Sequence, residues 1–329
     1  MVFRVELCRD NGLLYQKRRR LYLKRFSVID SPSILGLRPT GVEHLPEALK
    51  AAGLMSRLNA EYAGHVLPPS SSYNSERDKE TLLLNAESIR EFSQRLADKV
   101  MHVLDNDKKF PIVLGGDCSI LIGALLGLRR RRCNGKYGLF FIDGHADFYQ
   151  PDASSTGEVA DMDLAIVSGR GPHILTNIDD LKPLILDQHI VVFGYRDAIQ
   201  AAGYGSQDVR HTDMHVFDLS QVQTLGVSKA ASQAVKRLFE HKITGFWIHL
   251  DVDVLDDQIM PAVDYRLGGG GLSFFELSDL LKILFGSGRA MGMDITIFNP
   301  SKDIDGSIAH NLVSSLVAGI SYNNNNDVE

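Results

Sequence analysis

The residue types best suited to chemistry are Asp143, His145 and Asp147. They close the stretch Leu139-Phe140-Phe141-Ile142-Asp143-Gly144-His145-Ala146-Asp147. The stretch begins as a short apolar run, the pattern of a buried strand. Alternate residues of an extended chain point the same way, so the three polar side chains are expected to aim at one point beyond the strand's carboxyl end. Two carboxylates and an imidazole gathered there repel or desolvate one another unless a cation holds them. Taken alone, the stretch is equally compatible with a polar loop carrying a surface histidine.

A second stretch repeats the pattern. Over residues 246–253, Phe246, Ile248, Leu250 and Val252 fall on one side of an extended chain. Trp247, His249, Asp251 and Asp253 fall on the other. Acids again sit two residues apart at the end of an apolar strand. A third stretch is an expected strand over 110–114 followed by Gly115-Gly116-Asp117-Cys118-Ser119. Its glycine pair permits a sharp strand-to-helix turn and close backbone approach. The Gly-Lys-Ser/Thr ending of a phosphate loop is missing.

Regular elements must carry these stretches. The pattern predicts strands over 26–30, 110–114, from 137, 190–194, 216–218, 246–253 and 290–298. Between them it predicts helices over 45–52 (stopped by Gly53), 75–104, 120–132, 228–241, 273–285 and 304–319. Ser273 and Glu276 match a capping box. Four arginines, Arg129 to Arg132, close one helix, where they suit the negative end of its dipole. Residues 151–163 read as an irregular acidic loop, and 201–210 as a Gly-rich mobile one. Alternation of strands and helices predicts an α/β domain of three αβα layers with a central, mainly parallel sheet. In such sheets ligands bind beyond the carboxyl ends of the strands, where all three stretches lie.

Composition sets the limits. The 329 residues are 44% hydrophobic, enough for a sizeable core. No apolar run approaches the roughly 20 residues that span a bilayer. With 35 Lys+Arg against 41 Asp+Glu, the net charge of −6 gives no case for nucleic-acid binding. Cys8, Cys118 and Cys133 are scattered and odd in number, which argues against a disulfide framework and for a reducing, cytoplasmic setting. Residues 1–25 read as a basic N-terminal extension, with Glu6 and Asp10 arguing against a transit peptide. The expected domain is 26–322, and the asparagine-rich 323–329 an expected disordered tail.

Gly-Gly-Asp-Cys-Ser, Asp-Gly-His-Ala-Asp and Asp-Val-Asp-Val-Leu-Asp, in this order, resemble the three signatures of the arginase/agmatinase (ureohydrolase) family. The resemblance extends over nearly the whole chain after residue 25, including 41–54, 269–276 and Asn299-Pro300. It implies an arginase-like fold, two Mn²⁺ per subunit and a homo-oligomer, trimer or hexamer. The implied reaction is hydrolysis of a C–N bond in a small linear amidine, a guanidino or formimino compound, by a metal-bridging hydroxide. By position, Asp143 and Asp251 would bridge both metals. Cys118 and Asp147 would complete the first site, and His145 and Asp253 the second. Asp147 would also accept a proton, and Glu276 would face the substrate's guanidinium through charge-assisted bonds. Carboxylates with an imidazole suit Mn²⁺, and paired ions about 3.5–4 Å apart lower the pKa of a shared water.

Four departures bear on these roles. Cys118 stands where the family normally supplies a histidine ligand. A thiolate can replace it, as in hydroxyarginine amidinohydrolases, or a small inert residue leaves a weakened site. The loop 157–161 lacks the histidine with which arginases shuttle protons. His249, where the family usually has serine, is a candidate to take over that role; the alternative is a hydrogen-bonded core histidine. Tyr149 replaces the asparagine that holds an α-amino-acid head, so L-arginine itself is not the expected substrate. Asp256-Asp257 replaces the usual Asp-Pro, and Arg266, Arg196 and Asp264 either hold substrate charges or pair structurally. The rival to an enzyme is a family fold kept for binding or assembly with a degraded metal site. A two-metal phosphoesterase is disfavoured by the lack of a phosphate clamp.

Overall fold

The computed structural model describes residues 24–69, 73–131 and 135–321. The tail 323–329, Cys8, Cys133 and all but the last two residues of the basic extension lie outside the described residues. Eight strands are described: β1 (Phe26–Ser31), β2 (Glu61–His65), β3 (Phe110–Gly115), β4 (Tyr137–Ile142), β5 (Ile190–Phe193), β6 (His215–Phe217), β7 (Gly245–Asp251) and β8 (Ala290–Thr296). They form one sheet in the order β2-β1-β3-β8-β7-β4-β5-β6. Every pairing is parallel.

Period-2 alternation sends neighbouring residues of each strand into different cores. Val28, Ile112, Phe140, Ile142, Ile248 and Leu250 pack with helices Leu45–Ala51, Val227–Glu240, Phe274–Gly286 and Ser307–Ile320. Ile29, Val113, Leu139, Phe141 and Trp247 pack with helices Ala86–Asp105 and Ile120–Arg129. The expected three-layer αβα architecture is therefore present.

The pattern missed β2. That strand is the sheet's edge, its residues are half-buried or exposed, and Glu61-Tyr62-Ala63-Gly64-His65 carries no apolar alternation. The expected helix over 75–104 starts only at Ala86. Before it, the Asp78 carboxylate accepts the N–H groups of Glu80 and Thr81, and Leu82 and Asn85 take positive φ of 60° and 52°. Local side-chain bonds thus win over an apolar periodicity that runs past the helix start. The last helix begins at Ser307, three residues late, because Asp303 caps the N–H groups of Ile308 and Ala309.

The strand order places the carboxyl ends of β3, β8, β7 and β4 side by side. Ile142 pairs with Leu250, one residue before Asp143 and Asp251 in their own strands. The turn carrying Cys118 is clamped by backbone. Asp117 N–H donates to Ser33 O (3.0 Å), and Ile297 N–H donates to Gly116 O (2.8 Å). A Cβ on Gly116 would lie 1.9 Å from Ser33 O, so only glycine permits this approach.

Trp247, the chain's single tryptophan, is fully buried beside Gly292 of β8. A Cβ at Gly292 would sit 2.0 Å from Trp247 Cζ3. The indole N–H donates to Asp294 Oδ1 (2.5 Å), so the ring cannot slide away without losing a buried bond. Gly292→Ala is expected to cost about 1–3 kcal/mol by overpacking. Denaturant unfolding followed by the fluorescence of this one tryptophan checks it; an unchanged midpoint and emission maximum would contradict the packing.

Candidate metal centre

Asp143 follows the last residue of β4, but the chain does not stay extended to Asp147 as expected. It bends: Asp143 Oδ1 accepts the His145 N–H (2.6 Å), and Asp147 takes a φ of +43°. Ala146 N–H donates to Asp197 Oδ1 (3.0 Å), which holds the bend from β5's side. The convergence comes from a tight turn rather than from strand alternation.

The loop after β7 closes on the same turn. Asp253 Oδ1 accepts the Gly144 N–H (2.9 Å), and Asp253 Oδ2 pairs with His145 Nδ1 (2.7 Å). Asp251 Oδ1 accepts the Asp253 N–H (2.7 Å). Cys118 arrives from the β3 turn, with Sγ 2.9 Å from Asp251 Oδ2 and 3.2 Å from Thr296 Oγ1. Asp147 lines the cavity with Cys118, His145, Asp251 and Asp253, and Asp143 lies next to them beneath it. Five of the six metal-ligand candidates line this cavity and Asp143 lies beside His145, but Asp147 and Asp251, the latter expected to bridge both metals, belong to neither of the two close donor sets. Two sets of donor atoms lie close enough to share an ion: Cys118, Asp143 and His249, and Asp143, His145 and Asp253. Asp143 belongs to both sets, as a bridging ligand must.

Without a cation this cluster is electrostatically expensive. Burial, and then repulsion from Asp253, raise the Asp143 carboxyl to about 7. Burial followed by neighbouring acids pushes Asp147 and Asp251 well above the usual carboxylate range. Burial and Asp251 push the Cys118 thiol up in the same way. Asp253 is the exception: burial opposes its charge, but the paired His145 and the Gly144 N–H hold it at about 2. His145 is held correspondingly high, at about 10: burial disfavours its charge, but pairing with Asp253 and the nearby Asp143 and Asp197 together outweigh it. Asp143 Oδ2, Asp163 Oδ2 and His249 Nε2 are buried with no hydrogen-bond partner. Buried polar atoms are rarely left so. Unpartnered oxygens and a nitrogen beside a thiol and further carboxylates fit a divalent cation.

Above the cluster opens a cavity of about 130 Å³, lined among others by Tyr149, Glu158, Asp161, Tyr204 and Tyr265. Ala160 lies in this wall, in the loop where no histidine stands. Glu276 is not among the lining residues. Its carboxylate accepts the Ser273 N–H and hydroxyl (both 2.8 Å), completing the expected capping box. His249 does not line the cavity either; it is fully buried below. Arg196 donates to Asp253 O and Leu255 O and pairs with Asp257. Arg266 also bonds Asp257, through its backbone oxygen, and Asp264 accepts from Asn299 and Lys302. All three therefore have protein partners, while Arg196 Nε and Nη1 and Asp264 Oδ2 are buried without one.

Two residues at the site escaped sequence reasoning. Asp163 falls in the expected irregular acidic loop, yet it opens the short helix Asp163–Val167 and is fully buried. Asp294 sits mid-strand in β8, also fully buried. An acid inside an otherwise apolar parallel strand was the available signal, since buried acids are almost always paired.

Comparison with known proteins agrees with this geometry. The model of the arginase family matches residues 26–321. The arginase of Bacillus subtilis (strain 168) is 30% identical over 302 residues, which cover 89% of this chain and 98% of that protein. The arginase of Staphylococcus aureus (strain COL) is 29% identical over 296 residues, 88% of this chain and 95% of that one. The native structure of arginase from Bacillus caldovelox superposes with a TM-score of 0.80 at 26% identity, covering 90% of this chain and 98% of the other.

A cation that replaces the protons on these acids should stabilise the fold. With free Mn²⁺ at a hundredfold its dissociation constant, about 2.7 kcal/mol is expected, visible as a rise in melting temperature that a chelator reverses. The ion competes with a proton on Asp143, held up to about 7, so the rise should be larger at pH 8 than at pH 5.5. Melting curves at the two pH values, with and without Mn²⁺, check both. Equal or absent shifts would count against a cation site.

Proposed function

The chain belongs to the arginase family, and from that premise we propose that it is a binuclear manganese hydrolase that cleaves a C–N bond of a small linear amidine. The observation that carries this reading is Asp143 shared between two close donor sets, beside a cavity that Cys118, His145 and Asp253 line. Cys118, Asp143, Asp147 and Asp251 would hold the first ion, and Asp143, His145, Asp251 and Asp253 the second. Two ions bound there would supply positive charge and lower the pKa of a water between them.

The chain's own groups do the rest. In the proposed reaction a water would add to the amidine carbon while giving up a proton, and the C–N bond would break with the nitrogen leaving as an amine that takes up a proton. Asp147, exposed to the cavity beside Asp251, is placed to accept the proton of the water. For the leaving amine, Asp161 is better placed than His249, because it lines the cavity. Burial and the neighbouring Glu158 raise its carboxyl to about 7, so it holds a proton near neutral pH.

The wall also bears on the substrate. None of the described lining residues is a lysine or arginine, while Glu158 and Asp161 contribute carboxyls and three tyrosines contribute rings. Arg196 and Arg266 are engaged with Asp257 and its neighbours. This supports a guanidino or formimino compound with a cationic or uncharged tail over one with a carboxylate tail.

The non-catalytic alternative draws on the Cys118 thiol, which is satisfied by Asp251 without any ion. Metal content separates the two. The wild type is expected to hold two Mn²⁺ after loading and desalting, with loss in Cys118→Ala and retention in Cys118→His. A wild type with one ion or none, restored to two by the histidine, favours the degraded site.

Turnover is tested with the Mn²⁺-loaded protein on a panel of guanidino and formimino compounds, reading urea, formamide or ammonia. Amine-tailed and neutral members should exceed carboxylate-tailed ones. Asp143→Ala and Asp251→Ala should each lower kcat by at least about a thousandfold, as parts of one catalytic unit. A panel left untouched by the two-metal protein removes the hydrolase reading.

A further inference from the structure

We propose that His249 is a metal ligand of the first site, held in its ligating tautomer by Asp294, and that it restores the imidazole donor missing at Cys118. The inference rests on the metal-centre reading above and goes beyond it, because the three family signatures assign no ligand at this position.

The argument starts from register. His249 on β7 pairs with Phe141 of β4 on one side and Asp294 of β8 on the other. Its ring stacks on Phe141, with centroids 4.6 Å apart and planes 20° from parallel. His249 Nδ1 and Asp294 Oδ2 are 2.5 Å apart. The other Asp294 oxygen accepts the Trp247 indole N–H. Both faces of the carboxylate are thus committed to N–H donors, which assigns the proton of a neutral His249 to Nδ1 and leaves the lone pair on Nε2.

That lone pair has nothing to bond in the protein. His249 Nε2 lies 3.8 Å from Asp143 Oδ2 and 4.0 Å from Asp163 Oδ2. Both contacts are beyond hydrogen-bond length. All three atoms are buried and unpartnered. An imidazolium serving only as an ion-pair partner would close on one of the carboxylates at about 2.7–2.9 Å, as charge-assisted bonds do. Two donors each about 2.1 Å from one ion instead stand roughly 3–4 Å apart. The Cys118 thiol completes a group of donors within 4.8 Å of one another. A carboxylate behind the far nitrogen of a ligating histidine is the arrangement that fixes ring orientation and raises basicity. Asp294 is accordingly a positioning residue, whereas Asp163, 4.0 Å from His249 Nε2, is not part of that donor group.

The test uses the full-length protein and Mn²⁺ alone. Electron paramagnetic resonance counts bound ions and their affinities, and pulsed electron spin-echo measurements detect imidazole nitrogen on bound Mn²⁺. His249→Gln is expected to bind one ion in place of two, with the remaining affinity unchanged. His145→Ala should still show imidazole nitrogen on its remaining ion, from His249. Asp294→Asn should keep two ions, with affinity at one site lower by about 10–100-fold. Metal-free melting curves check that each variant folds. Two ions of unchanged affinity in His249→Gln, or no nitrogen signal in His145→Ala, overturn the assignment while leaving the two-metal reading intact. A wild type that binds no Mn²⁺ overturns both.

Discussion

Like charges buried together are the constraint on which this structure turns. Asp143, Asp147, Asp163 and Asp251 are each at most 7% exposed, and all are pushed up by burial and by one another. No soluble core gathers such groups at neutral pH without protons or cations to balance them. The sheet makes the gathering possible. Parallel strands end on one edge, and the order β3-β8-β7-β4 puts the four carrying ends next to one another. The apolar residues of β4 and β7 then anchor each acid to a buried frame, so that repulsion cannot splay them apart.

Much of this was legible in the residues. Alternation in β7 divided Phe246, Ile248 and Leu250 from Trp247, His249 and Asp251, and the two cores lie on those two sides. Capping chemistry marked the start of helix Phe274–Gly286 to the residue. What stayed hidden has physical reasons. β2 forms by pairing its backbone to β1 at an exposed edge, and backbone pairing leaves no apolar signal. The onset of helix Ala86–Asp105 is decided by the Asp78 turn, which competes with a periodicity that had already begun. Asp163 and Asp294 join the site through tertiary packing and register; the acid inside apolar β8 marks Asp294 as buried and paired, but not with what. The turn at Asp147 shows the opposite lesson: the three polar residues do converge, but through a positive φ rather than through the extended geometry that first suggested it.

If Cys118 and His249 both hold the first ion as proposed, β7 returns an imidazole donor to a site that a thiol would otherwise serve. A thiol at Cys118 is smaller in reach and harder to ionise here, since burial and Asp251 both hold its proton on. β7 offers the compensation because position 249 points toward the same cluster as Asp251. A histidine there needs a partner for its second nitrogen, and register supplies Asp294. Asp294 in turn would be a buried charge with a free oxygen, and the Trp247 N–H satisfies it. Trp247 then needs space, which Gly292 leaves.

Read outward from the cluster, this chain of requirements explains why a glycine, a tryptophan, an aspartate and a histidine sit together in the centre of an otherwise aliphatic sheet. Each polar group is there to satisfy the one before it, and the series ends at His249 Nε2, which nothing in the protein satisfies. A network that closes on itself would be a structural device, of the kind buried polar groups form for specificity. A network with one open end, 3.8 Å from the unpartnered Asp143 Oδ2, is the feature on which the proposal for His249 rests. The same logic distinguishes the two walls of the cavity. Glu158 is satisfied by the Arg38 N–H and the Tyr265 hydroxyl, so it shapes the wall without demanding a ligand. Asp161 accepts only a 3.5 Å contact from Thr156 Oγ1 in that wall, and burial with the neighbouring Glu158 raises its carboxyl to about 7.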